Sequence, residues 1–207
     1  MTPRLSTAVQ ELERAYARLN TTLFDAALPD NVVIAIQSRG RRSGVLGWYA
    51  PHSWRNGDDD GLHEITLTAE TLARNDPADD LNVAETLIHE MAHHQAASEG
   101  VSDGRAPYHN REFARMASAA GLIVPETPLR GLGYAVTRLG ERGHKALREI
   151  KFDFGLFNAV RLGRGKRPKQ PTKMKKWSCA CVVNIRCAVD LDARCNVCRE
   201  PFEYNDH

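Results

Sequence analysis

No stretch of this chain stays apolar for long. Its hydrophobic runs fall well short of the roughly 18–20 residues that cross a bilayer. The N-terminus, Met1-Thr-Pro-Arg-Leu-Ser, has no apolar core followed by small residues and does not read as a secretory leader. Cysteine is missing from the first 178 residues, and all five cysteines fall between 179 and 198. These absences predict a cytoplasmic protein, nucleoid-associated if the host is bacterial. In that compartment disulfides are disfavoured, and clustered thiols point to metal. Acid is missing from residues 161–176, which hold eight Lys or Arg.

What is present is ordinary for a globular protein: 207 residues, 42% hydrophobic and 26% charged. That length allows one full core plus a small appended module. The net charge is only +2 but unevenly spread, with 17 basic and 21 acidic side chains in residues 1–160. A basic strip on a mildly acidic body suggests a polyanion partner at one place.

Apolar residues recur at helical spacing from Leu5 to Phe24, which predicts a helix ending before Leu28-Pro29. Three strand-like runs follow, Val32–Gln37, Val45–Ala50 and His63–Thr68, with a turn or exposed loop over Arg55–Gly61. A second helix is expected to begin at an Asp79-Asp80 cap, bury Leu81, Ala84, Leu87, Ile88, Met91 and Ala92, and fade near Gly100. A third is expected at about 110–120, with Phe113, Met116, Ala117 and Ala120 on one face. Residues 121–150 yield no assignment.

The second helix carries His89-Glu90-Met91-Ala92-His93. Four residues advance a helix by about 400°, so both imidazoles share one face and can bind one zinc. Glu90 lies about 100° round, where it can take a proton from a zinc-bound water without ligating the metal. A third ligand must come from downstream. His94 faces away, and Glu99 lies too far along the axis. His109, just past a loop, is favoured, with Glu112 and Asp103 as alternatives.

The run HEMAHH, followed after a loop by HNREFARMA, resembles the SprT-like metalloprotease family, whose pattern is HExxH and then a downstream His-Gly-x-x-Phe. The resemblance implies His89, His93 and His109 as ligands and Glu90 as general base. Asn110 stands where the family often has Gly, a small departure because Asn tolerates left-handed backbone. SprT-like proteins include proteases that degrade proteins crosslinked to DNA, which implies a DNA-associated protein substrate.

Cys179-Ala-Cys181 and Cys195-Asn-Val-Cys198 can hold a structural zinc through four thiolates. A set in which Cys187 replaces Cys179 or Cys181 is an alternative. The segment from Lys176 to Phe202 is similar to the zinc ribbon of many SprT-like proteins. It is too short for a core of its own, so metal would hold it together. Arg161, Arg164, Lys166, Arg167, Lys169, Lys173, Lys175 and Lys176 can neutralise phosphates without sequence preference, and Trp177 either stacks on a base or packs into the ribbon.

The fold class expected is α+β. It comprises a zincin-like metalloprotease subdomain at 1–150 with a small mixed or antiparallel sheet and an active-site helix, a basic connector at 151–176, and a zinc ribbon at 177–207. The expected activity is zinc-dependent endopeptidase action with one catalytic and one structural zinc. The rival is a DNA-binding accessory protein of a mobile element that keeps the fold with little proteolysis.

Overall fold

The computed structural model describes residues 4–40, 44–55, 57, 61–80, 82–162 and 174–205. The chain divides into two units, residues 1–163 and 164–207. The basic residues Arg164, Lys166, Arg167, Lys169 and Lys173, together with Leu81 and His207, lie outside the described residues.

The first unit opens with helix α1 (Leu5–Leu23), which buries Leu12, Ala15, Tyr16, Leu19 and Leu23 as its spacing predicts, while Leu5 at its start is exposed. Asp25 and Ala26 then turn through left-handed backbone, and Asn20 anchors the turn by bonding both N–H and C=O of Leu28. Strands β1 (Val32–Gln37), β2 (Gly47–Trp54) and β3 (Leu62–Thr68) form one sheet in the order β1-β3-β2. β1 runs parallel to β3 and β2 runs antiparallel, so the sheet is mixed. β2 is longer than its sequence pattern suggested. Its register shifts between Ala50 and Trp54, where His52 adopts left-handed backbone.

Helix α2 (Val83–Ser98) packs between the sheet and helix α3 (Arg111–Ala119). Its cap corrects the expectation of Asp79-Asp80. Asn82 is the N-cap, accepting from the backbone N–H of Ala84 and Glu85 at 2.9 and 3.0 Å. The Asp79 backbone carbonyl accepts from the Asn82 amide, and Asp80 pairs with His144. The helix ends at Glu99 with Gly100 in the left-handed region, as expected.

Two short strands, β4 (Gly104–Arg105) and β5 (Tyr108–His109), lead into α3, where Phe113, Met116, Ala117 and Ala120 are buried as predicted. Asn110 is not left-handed. Its φ is −89°, and its side chain caps α3 at the Phe113 N–H, so the role of Asn110 is that of a helix cap.

The unassigned stretch holds β6 (Leu122–Ile123), paired with β7 (Arg138–Leu139), and helix α4 (Glu141–Glu149). α4 escapes a sequence reading because, of its nine mostly polar residues, only Gly143, Ala146 and Leu147 are buried. Ile150, Phe152 and Phe157 then join the same core, so the expected connector begins with residues that belong to the packed unit.

In the second unit β8 (Lys175–Ser178) lies between β9 (Asn184–Cys187) and β10 (Glu203–Tyr204) in an antiparallel sheet. Its core is Cys179, Cys195 and Phe202, with Trp177 and Ile185 packed on it. Among the described residues no helix is long and apolar enough to cross a membrane.

Candidate metal centres

A cleft of about 950 Å³ opens in the first unit between β2, α2 and the segment 132–138, and His89, Glu90, His93 and His109 line it. One ligand atom from each of the three histidines lies within 4.8 Å of the others. His89 and His93 reach the cleft through helical periodicity. His109 arrives by tertiary pairing. Its N–H donates to the Leu132 carbonyl, its carbonyl accepts from the Tyr134 N–H, and it pairs with Gly104 across β4–β5. Both neighbouring backbone segments approach closely. A Cβ at Gly104 would stand 2.2 Å from the Tyr108 carbonyl oxygen, and one at Gly133 would stand 1.9 Å from that of His109. Both glycines also have positive φ.

Each imidazole is engaged on its outer nitrogen. His93 Nδ1 donates to Asp103 Oδ2 at 2.6 Å, and His109 Nδ1 donates to the Pro107 carbonyl at 3.3 Å. His89 Nδ1 bonds Thr137 Oγ1 at 2.9 Å, and the Thr137 hydroxyl donates in turn to the Glu85 carboxylate. The Nε2 atoms are thereby left bare toward the cleft. His89 Nε2 and His109 Nε2 stand 3.2 Å apart. Facing lone pairs at that range repel unless a proton or a metal ion lies between them, and nitrogens around a tetrahedral zinc stand about 3.3 Å apart for bonds of 2.0–2.1 Å. The donor set therefore fits zinc. Burial, followed by the neighbouring His93, pushes His109 down to about 4 and His89 well below the usual imidazole range, so both are neutral at pH 7 as ligation requires.

Phe113 forms the floor beneath all three rings, with centroids 4.8, 4.6 and 4.3 Å from those of His89, His93 and His109. Glu90 lies beside them, 5% exposed, and accepts a hydrogen bond from the Tyr49 backbone N–H. Burial pushes its carboxyl up to about 7. Gly47 leaves it room, since a Cβ there would stand 3.2 Å from Glu90 Oε1. Of the alternative third ligands, Asp103 supports His93, and Glu112 is exposed and paired with Arg115. His94 is fully buried on the other side of α2, bonded to the Tyr16 hydroxyl at 2.8 Å, which makes it a packing residue.

The profile of the SprT-like family matches residues 12–131. The chain belongs to the SprT-like family. No curated protein and no solved structure matches it. The SprT-like match takes in the three histidines and Glu90 and stops short of Thr137 and the cysteines.

In the second unit Cys179, Cys181, Cys195 and Cys198 form a second group that could hold a metal. Cys179 and Cys181 sulfurs are 3.3 Å apart, and Cys181 and Cys195 sulfurs 3.6 Å, close to the roughly 3.8 Å edge of a tetrahedral zinc-thiolate site. Backbone N–H groups of Cys198 and Val197 lower the Cys195 thiol to about 6, so it ionises readily. Cys187 stands apart, its thiol donating to the Val189 carbonyl. Of the basic strip, Lys175 is paired with Asp190, and Lys176 lies opposite Arg186 across the β8–β9 pair. Arg161 is exposed in the first unit.

Sequence reasoning missed Glu85, Thr137 and the supporting role of Asp103. Glu85 had a signal: it precedes His89 by one helical turn and shares its face. Thr137, 48 residues from His89, had none.

Proposed function

We propose that this SprT-like protein is a zinc-dependent endopeptidase acting on DNA-associated proteins, with His89, His93 and His109 as catalytic-metal ligands, Glu90 as general base, and a structural zinc held by Cys179, Cys181, Cys195 and Cys198. The observation that carries the reading is the convergence of one nitrogen from each of three imidazoles, beside the buried Glu90 carboxylate, which stands outside that group. A structural zinc site has no use for Glu90. A zinc ion in such a site supplies a Lewis acid for the peptide carbonyl and lowers the pKa of a water to near 7.

The chain's own groups do the rest. Glu90, made more basic by burial and held by the Tyr49 N–H, accepts a proton from water at neutral pH and can return it to the leaving amine. Asp103, Thr137 and the Pro107 carbonyl keep the three rings oriented, and Phe113 excludes water from beneath them. The cleft wall contributed by Val45, Leu46, Leu132 and Val136 receives the substrate. The DNA association is supported by the acid-free strip 161–176.

The test is metal analysis of the full chain together with cleavage of an unfolded protein substrate, with and without single-stranded DNA, for wild type and Glu90→Gln. Two zincs per chain are expected, with cleavage stimulated by DNA. Glu90→Gln should retain both metals and lose roughly 10²–10⁴-fold in rate. Zinc-loaded protein that cleaves nothing under either condition, or a Glu90→Gln variant as active as wild type, would overturn the peptidase reading. Equal cleavage with and without DNA would remove the DNA dependence.

A further inference from the structure

The three imidazoles are not supported alike. His93 leans directly on a carboxylate, Asp103. His89 leans on a hydroxyl, and the carboxylate stands one hydrogen bond further back. Thr137 is 3% exposed and Glu85 2%, so both partners are buried at the wall of the cleft. A hydroxyl carries one proton. With Glu85 in its carboxylate form, the Thr137 hydroxyl donates its one hydrogen bond there, which leaves only lone pairs for His89. His89 must then hold its own proton on Nδ1, and its Nε2 faces the cleft bare.

We propose that Thr137 and Glu85 are positioning residues of the histidine centre, locking His89 in the one tautomer whose Nε2 can take a metal. The proposal deepens the zinc-peptidase reading and rests on it for the identity of the ligand. The tautomer itself does not depend on that reading. Thr137 also sits on the segment that delivers His109, since Leu132 and Tyr134 hold that residue's backbone. One strap, residues 132–137, thus sets the backbone of one ligand and the ring of another. Glu85 completes the arrangement from α2 itself, one turn before His89. Without the hydroxyl, His89 gains no preference from this side, and the tautomer protonated on Nε2 would present a proton where the metal belongs.

Thr137→Val removes the hydroxyl at nearly constant shape, and Thr137→Ser keeps it. Imidazole nitrogen NMR on the zinc-free full chain reports the His89 tautomer. Chelator competition reports zinc affinity at the histidine centre, with the thiolate site followed separately by the charge-transfer absorption of its cobalt(II) form. Wild type and Thr137→Ser should show His89 protonated on Nδ1. Thr137→Val should show a tautomer mixture and a loss of zinc affinity of roughly 10–100-fold. Glu85→Gln, which keeps an acceptor oxygen without the charge, should show a smaller loss and covers the case in which Thr137→Val fails to fold. A Thr137→Val protein with the wild-type tautomer and wild-type zinc affinity would overturn the relay and leave the metal reading standing. A wild-type protein with the locked tautomer but no zinc at the histidines would do the reverse.

Discussion

Gly47 offers the sharpest test of how closely α2 presses its Glu90-bearing face against β2. A Cβ placed there would stand 2.8 Å from the Thr66 carbonyl oxygen, 2.8 Å from Thr86 Cγ2 and 3.2 Å from Glu90 Oε1. The first of these is backbone of the central strand, paired on both sides, and cannot yield cheaply. The second belongs to a helix wedged between sheet and α3. Gly47→Ala must therefore push α2 away or bend β2, at the roughly 1–3 kcal/mol typical of an overpacked core. In a domain of this size each kcal/mol lowers Tm by about 2–4 °C, so a fall of roughly 2–12 °C is expected. Glu90 should move with α2. A 1 Å misplacement of a catalytic group costs about 10²-fold, so a shift of a few tenths of an ångström should lower kcat by roughly 3–10-fold with KM little changed. Thermal melts and cleavage kinetics on zinc-loaded protein measure both. Adding Thr86→Ala removes the methyl that Gly47→Ala strikes. The double variant should recover at least about 0.5 kcal/mol relative to additivity, because residues in contact couple. A Gly47→Ala protein with wild-type Tm and kcat would refute the close packing of Glu90 beneath β2.

Two further outcomes follow from other parts of the molecule. Burial raises the Glu11 carboxyl, but the Arg14 guanidinium, at 2.6 and 2.7 Å, and the Asp153 N–H, at 2.8 Å, outweigh it and leave Glu11 below its usual range. A carboxylate lowered on folding stabilises above its unfolded value and loses that contribution as pH falls through the lower folded one. Glu11→Gln should therefore cost roughly 1–3 kcal/mol at pH 7 and shrink to little below the carboxylate range, Arg14 being partly exposed; a penalty independent of pH in denaturant titrations would contradict this. Cys195→Ser should reduce bound zinc from two per chain to one and strip hydrogen-exchange protection from β8–β10, while Cys187→Ser changes neither; loss of metal from Cys187→Ser would mean that the thiolate set is misassigned.

Much of this protein was legible along the chain because it rests on local periodicity. Helix α1, the three main strands and the burial of α2 and α3 follow from apolar spacing. His89, Glu90 and His93 sit where a 3.6-residue turn must put them, and the cysteine pairs announce themselves by their separation. The cap at Asn82 and helix α4 were less visible, since one depends on which of Asp79, Asp80 and Asn82 closes the turn and the other buries too little to leave a pattern.

The sequence by itself determined the helix that carries two histidines and a carboxylate, because these groups are neighbours in the chain and helix geometry alone brings them together; it marked two cysteine pairs, and the sheet of the second unit decided that Cys179, Cys181, Cys195 and Cys198 meet while Cys187 stands apart. Only the tertiary structure decided that His109 turns inward, that Asp103 bonds His93, and that Thr137 stands between Glu85 and His89. Those outcomes depend on Gly104 and Gly133 letting two distant backbones touch His109, and a contact between residues far apart in sequence is set by the packing of everything between them.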